Sequence, residues 1–209
     1  MSENSVSFSE SEKKPMRIAC YVQERVEILD LAGPLEVFDY AGWDVFIIGK
    51  TRAPIMAQGI LKVTPAYDLN DAPEADILAF FGGNSDLPVS DDALISWVQD
   101  RGGRAKWLFS VCTGARILGK AGFLENKTVT TYHGALDQLQ REVPGAVVRR
   151  DVRWVDDGNV LTTAGVSAGI DGALRLVAKI EGEQVARRVA QKMEYDYYDH
   201  ASGLVVGRK

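Results

Sequence analysis

Ala105-Lys-Trp-Leu-Phe-Ser-Val-Cys-Thr-Gly-Ala-Arg-Ile-Leu-Gly-Lys-Ala-Gly122 is the stretch from which the rest of the chain is read. Trp107, Leu108, Phe109 and Val111 form a short apolar run of the kind that makes a strand buried on both faces. Directly after it, Ala115, Ile117, Leu118 and Ala121 recur at helical spacing until Gly122 breaks the pattern. The chain therefore passes from strand to helix within about two residues of Cys112. Ser110 and Gly114 flank this corner, giving a small-x-Cys-x-Gly pattern analogous to the Gly-x-Ser-x-Gly nucleophile elbow. A nucleophile exposed on so sharp a turn needs neighbours without bulk. The turn is also expected to set the sulfur near free backbone N–H groups at a helix start, which favours thiolate and lowers the cysteine pKa. Cys112 is thus the expected nucleophile. Cys20 sits mid-strand in Arg17-Ile-Ala-Cys-Tyr-Val22 with no turn beside it and is expected to be structural.

The chain has 209 residues, 24 basic and 29 acidic side chains, and a formal net charge of −5. A chain of this length builds a core without a disulfide or metal staple. Residues 1–15, Ser/Glu/Lys-rich without periodicity, are expected to be a disordered tail ahead of one α/β domain over 16–209. The acidic balance excludes a broad field for nucleic acid or an anionic membrane, so neither is an expected partner. Arg149, Arg150 and Arg153 alternate with acidic residues and read as a solvated face. No stretch approaches the length of a membrane span. Two cysteines without a pairing signature, and no apolar N-terminal run, point to a reducing cytoplasm. The scattered cysteines and histidines do not have zinc-ligand spacing, so no metal is expected.

In order, Arg17–Val22 reads as the first strand. Pro34 suits the first turn of the helix that follows, with Leu35, Phe38 and Ala41 on its inner face. Asp30 falls just ahead of that helix among Ile28, Leu29 and Leu31. It is either a capping acid or a carboxylate whose apolar company raises its pKa and lets it trade protons. Asp44–Gly49 is a second strand, followed through Pro65 by a short hairpin expected on the sheet edge. The third core strand, 75–81, ends in Gly82-Gly83-Asn84, where paired glycines leave N–H groups free for an anion or oxyanion. Ser90 is expected to cap a helix through Arg101. Further on, 128–131 is a short strand, 147–155 and 160–163 are strands joined at Asp157-Gly158, and helices run from Ala164 to about Glu181 and from Glu183 to about Tyr195. The small residues after Ala164 allow close approach of another backbone, from a neighbouring element or a second subunit. Alternating strands and helices imply a mostly parallel sheet covered on both faces, with its ligand crevice at the carboxyl ends of the strands. Cys112, Gly82-Gly83 and the Asp30 loop all fall there.

Leu29-Asp-Leu-Ala-Gly-Pro34, Phe81-Gly-Gly83, Ser110-Val-Cys-Thr-Gly114 and Thr163-Ala-Gly-Val-Ser-Ala-Gly-Ile-Asp171 together resemble the ThiJ/PfpI superfamily, the class I glutamine amidotransferase-like proteins. The resemblance covers about residues 16–195 and, within the superfamily, is to the isonitrile (isocyanide) hydratase branch, with aspartate for glutamate and Cys-Thr for Cys-His. It implies a flavodoxin-like three-layer sandwich, a homodimer and a site without cofactor. It also implies a nucleophile at Cys112, a proton-transferring carboxylate at Asp30, Thr113 beside the nucleophile, and anion-stabilising amides at Gly83 and Thr113. The hydratase pattern Thr-Thr-His-Trp is here Thr130-Thr131-Tyr132-His133. The displaced His133 is read as a satisfied structural histidine, and no catalytic role is carried onto it.

The activity so implied is addition of water to an isocyanide, giving an N-substituted formamide through a Cys112 thioimidate with Asp30 as acid and base. The alternatives are a glyoxalase or deglycase acting on α-oxoaldehydes, and a non-enzymatic domain that senses a small ligand or oxidant through the same cysteine.

Overall fold

The computed structural model describes residues 14–207, so the expected tail over 1–15 lies outside the described residues except for Lys14 and Pro15. The first half of the chain builds β1 (Arg17–Val22), α1 (Ile28–Tyr40), β2 (Asp44–Gly49), β3 (Ile55–Ala57), β4 (Leu61–Val63), β5 (Ile77–Phe80), α2 (Asp86–Val89) and α3 (Asp92–Arg104). There follow β6 (Trp107–Val111), α4 (Ala115–Lys120), β7 (Thr128–Val129), α5 (Leu136–Glu142), β8 (Val147–Val148), β9 (Trp154–Asp157), β10 (Val160–Thr163), α6 (Ala168–Glu181), α7 (Glu183–Lys192) and β11 (Gly203–Val205).

A 7-stranded sheet runs in the order β11-β9-β10-β6-β5-β1-β2. From β2 to β10 the strands are parallel, β9 is antiparallel to β10, and β11 is parallel to β9. Taken by sequence, the parallel strands follow the flavodoxin-like order, with the switch point between β1 and β5. β1 explains why such strands read as unbroken apolar runs. Ile18, Cys20 and Val22 pack into the core with α1, α6 and α7, whereas Ala19 and Tyr21 pack into the core with α3, α4 and α5. Cys20 is fully buried in the first of these layers, as expected of a structural thiol. Phe38 of α1 anchors that layer: its ring stacks on Trp43 at 5.1 Å and meets Phe109 of β6 edge-on at 5.6 Å.

Several boundaries differ from the sequence expectation, each for a local reason. α1 begins at Ile28, ahead of Pro34, and Pro34 lies inside it. A proline has no N–H to give, so the carbonyl of Asp30 loses its helical partner while the helix continues. The cap of α3 is Asp91 rather than Ser90, accepting from the Leu94 N–H at 3.3 Å. β3 and β4 pair only with each other and do not extend the large sheet. Within 147–155, Val147 and Val148 pair with β7, and the strand of the large sheet starts at Trp154. Gly158 takes φ +68 in the β9–β10 turn. Residues 164–167 form a loop before α6, and β11 was not foreseen. The small residues of this region admit a neighbouring element: a Cβ on Gly169 would lie 2.9 Å from Val111 Cγ1 and 3.3 Å from Pro34 Cγ.

Removing the Phe38 ring opens a cavity under α1. Phe38→Ala is expected to cost about 3–5 kcal/mol in urea unfolding, whereas Tyr197→Ala, at a side chain 84% exposed, stays within about 0.5 kcal/mol of wild type.

Candidate active site

β6 runs apolar to Val111, and the next residue, Cys112, has φ +58, a left-handed conformation rarely adopted outside glycine. Three contacts hold it there. Its N–H donates to the Ala164 carbonyl at 3.2 Å, and its carbonyl accepts from Thr131 Oγ1 at 2.6 Å. The third is close packing: a Cβ on Gly114 would lie 2.3 Å from the Phe80 carbonyl oxygen, so only glycine lets the elbow settle on β5. Ser110, the other small flank, is fully buried.

Asp30 occupies the first turn of α1, not its cap, and is fully buried. Oδ2 accepts from the Gly82 N–H at 2.9 Å and Oδ1 from the Val166 N–H at 2.9 Å. Val166 has φ +55. For a β-branched residue this is a strained conformation, and it aims the amide at the carboxylate. A Cβ on Gly82 would lie 2.7 Å from Asp30 Oδ2 and 2.8 Å from Cys112 Sγ. Carboxylate and thiol therefore crowd the same Cα, a separation no larger residue permits.

Burial pushes the Asp30 carboxyl up to about 7, reinforced by the charge of Glu27 and opposed by the Gly82 and Val166 amides and by Cys112. The Cys112 thiol is pushed up to about 12, first by burial and then by the Asp30 charge, against the pull of the Thr113 N–H and hydroxyl. This reverses the expected lowering of the thiol pKa. The elbow opens on a single 3-10 turn and the six-residue α4, too little dipole to offset a dry site and an adjacent carboxylate. Near neutral pH the thiol keeps its proton while the carboxyl is part-ionised, and a proton placed on Asp30 removes the charge that restrains the thiolate.

Of the expected anion donors, the Gly82 N–H is committed to Asp30, which leaves the amides of Gly83 and Thr113. Gly83 is exposed with φ +100, and Thr113 Oγ1 donates to its carbonyl at 3.4 Å. Beside the elbow lies a cavity of about 280 Å³ lined by Thr131, Tyr132, His133, Leu136, Gly165 and Val166 among others. Gly165 of its wall lies between Tyr132 and the sulfur: a Cβ there would lie 2.7 Å from the Tyr132 ring and 3.4 Å from Sγ. His133 is an exposed ring tilted against Tyr132 at 4.2 Å, and among the described residues no hydrogen bond joins it to Cys112. Nor are the arginines simply a solvated face: Arg153 reaches the buried Asp171 at 2.5 Å, and that carboxylate also accepts from the Tyr195 hydroxyl at 2.9 Å. Sequence reasoning missed Val166 and Thr131. The first acts through a backbone amide, which has no side-chain signature, although its neighbourhood of small residues stood out.

A sequence model of the DJ-1/PfpI family matches residues 16–179. The chain belongs to that family. It is 32% identical over 185 residues to an isonitrile hydratase of Pseudomonas putida, across 86% of this chain and 78% of that protein. A deglycase of Pyrococcus horikoshii is 26% identical over 152 residues, across 69% of this chain and 87% of that one. The crystal structure of a ThiJ/PfpI family protein from Pseudomonas syringae superposes with a TM-score of 0.83 at 29% identity, covering 95% of this chain and 84% of its own. These DJ-1/PfpI relatives bear out the resemblance read from the motifs and the flavodoxin-like architecture.

A carboxyl that ionises near 7 when folded, and in the ordinary carboxylate range when unfolded, binds more protons in the folded state, so stability falls as pH rises between the two values. Asp30→Asn removes this titration. Relative to the variant, wild type is expected to lose stability from about pH 4 to above pH 7, read from melting temperatures of both proteins across that range. The same substitution removes one of the causes that raise the thiol. The alkaline inflection of Cys112 alkylation by iodoacetamide, followed by peptide mass, should move to lower pH in Asp30→Asn.

Proposed function

We propose that the protein is an isonitrile hydratase, adding water to an isocyanide to give an N-substituted formamide. The observation that carries this reading is the buried Asp30 carboxyl set against the Cys112 sulfur across Gly82. An isocyanide is uncharged and accepts a nucleophile at its terminal carbon only if that carbon is then protonated. A soft nucleophile and a single acid/base of pKa near neutrality meet both needs.

The steps balance as follows. Asp30 takes the thiol proton, and the Cys112 thiolate attacks the terminal carbon, forming the C–S bond. Asp30 returns the proton to that same carbon, which leaves a thioimidate. Water then adds to the thioimidate carbon, giving one proton to the carboxylate and, through it, to the nitrogen. Collapse of the tetrahedral adduct breaks the C–S bond and releases the formamide, while the hydroxyl proton passes through the Asp30 carboxylate to the departing sulfur and regenerates the thiol. The amides of Gly83 and Thr113 face the anionic stages. The cavity beside Gly165, walled by Tyr132, Leu136 and Val166 together with His133, Arg150 and Arg153, offers room for the isocyanide substituent.

Similarity to the Pyrococcus deglycase supports a second reading, in which the same thiolate adds to an α-oxoaldehyde as a hemithioacetal. Aspartate in place of glutamate and an exposed His133 count against it. The assay that decides is formamide production from an aryl isocyanide by the purified protein, with methylglyoxal in parallel. Cys112-dependent formamide should fall at least about a hundredfold in Cys112→Ala and in Asp30→Asn. Lactate from methylglyoxal without formamide would establish the deglycase instead, and undiminished turnover in Cys112→Ala would rule out both.

A further inference from the structure

Gln23 stands just past the end of β1 and is 5% exposed. Its Nε2 donates to the Phe81 carbonyl at 2.9 Å and to the Gly82 carbonyl at 3.2 Å. Those carbonyls belong to two successive peptide groups whose other ends are the N–H of Gly82 and the N–H of Gly83. In a trans peptide the C=O and N–H lie on opposite edges of one plane. A single side-chain amide that grips both carbonyls therefore turns both N–H groups to the far side. The Gly82 N–H meets Asp30 Oδ2 there at 2.9 Å. In an extended strand successive N–H groups would alternate sides, so this shared direction is imposed locally. The Gly82 carbonyl also accepts from the Glu27 N–H at 3.1 Å, which leaves that peptide group doubly polarised. Meanwhile Gln23 Oε1 is buried with no hydrogen-bond partner among the described residues. An apolar side chain of similar volume would carry no such desolvation penalty, so packing alone does not account for glutamine here.

We infer that Gln23 is a positioning residue of this active site: its side-chain amide orients and polarises the Gly82 and Gly83 peptide groups, one of which holds Asp30 while the other stabilises anionic intermediates. Donation to a carbonyl strengthens the N–H at the other end of the same peptide as a donor. The Gly83 half of the inference rests on the hydratase reading; the Gly82 half does not. The titratable groups facing Asp30 are Cys112 and Glu27, and substitution of Gln23 leaves both in place.

Gln23→Leu and Gln23→Met remove the donor and the orphaned acceptor together. The first readout is the Asp30 carboxyl itself, titrated by ¹³C NMR in aspartate-labelled protein and assigned by its loss in Asp30→Asn. A weaker Gly82 N–H stabilises the carboxylate less, so the midpoint should rise by about half a unit to one unit in both variants. The second readout is formamide turnover, for which kcat should fall about tenfold with KM within about twofold of wild type. An unmoved Asp30 midpoint in folded variants overturns the inference, even if kcat falls with the melting temperature, because that is loss of packing alone. Failure of both variants to fold also overturns it, since the inference requires an apolar side chain to be tolerated at this place. A shifted midpoint in a protein whose wild type makes no formamide upholds the Gly82 half and sinks the hydratase reading.

Discussion

Asp30 is a fully buried carboxylate that no cation among the described residues neutralises, and the rest of the site follows from how the fold accommodates it. Two backbone amides, from Gly82 and Val166, take the place of a counter-ion. Amide dipoles favour the charged form without cancelling its charge, so the group settles near neutrality instead of deep in the acid range. A lysine or arginine in their place would hold a permanent carboxylate and deprive it of its use as a proton carrier. The amides come from segments far apart in the sequence, so the acidity of one side chain reports whether the end of β5 and the loop before α6 are both seated.

The backbone carries much of the cost. Cys112 and Val166 both sit in left-handed conformations, each worth roughly 1–3 kcal/mol of strain. They are tied to one another through Ala164, whose carbonyl receives the Cys112 N–H. Strand register then completes the row. Tyr21 pairs with Phe80, Phe80 with Ser110, and Thr162 with Ser110. Two residues further along each strand lie Gln23, Gly82, Cys112 and Ala164. Four chain segments thus deliver one residue each to a line across the sheet, and the functional groups are the continuation of an ordinary parallel ladder.

Much of this architecture was legible in the residues, and the limits have physical causes. The elbow, the paired glycines and the buried strands announce themselves because side-chain size and apolar period are local properties. The parallel sheet follows from them. Long-range register is not local, and so the row that brings Gln23 beneath Gly82 cannot be read from the sequence. Helix starts were misjudged at Pro34 and Ala164, where proline tolerance and a strained loop depend on tertiary contacts. The thiol acidity was misjudged for the same reason: a turn motif suggests dipoles, but burial and a carboxylate contributed by α1 outweigh them.

The borders of the large sheet have a consequence of their own. On one side β11 lies along β9, with the Val206 N–H donating to Asp156 and the Arg153 N–H to Ser202. On the other, the segment around Tyr67 closes on β2, with the Ala66 N–H donating to Ile47 and the Gly49 N–H to Tyr67. Both borders therefore end in short paired stretches, the three residues of β11 and the bridge at Tyr67, which offer an incoming strand little length to pair with. Short borders of this kind disfavour ladder-to-ladder accretion when copies are crowded together at high concentration.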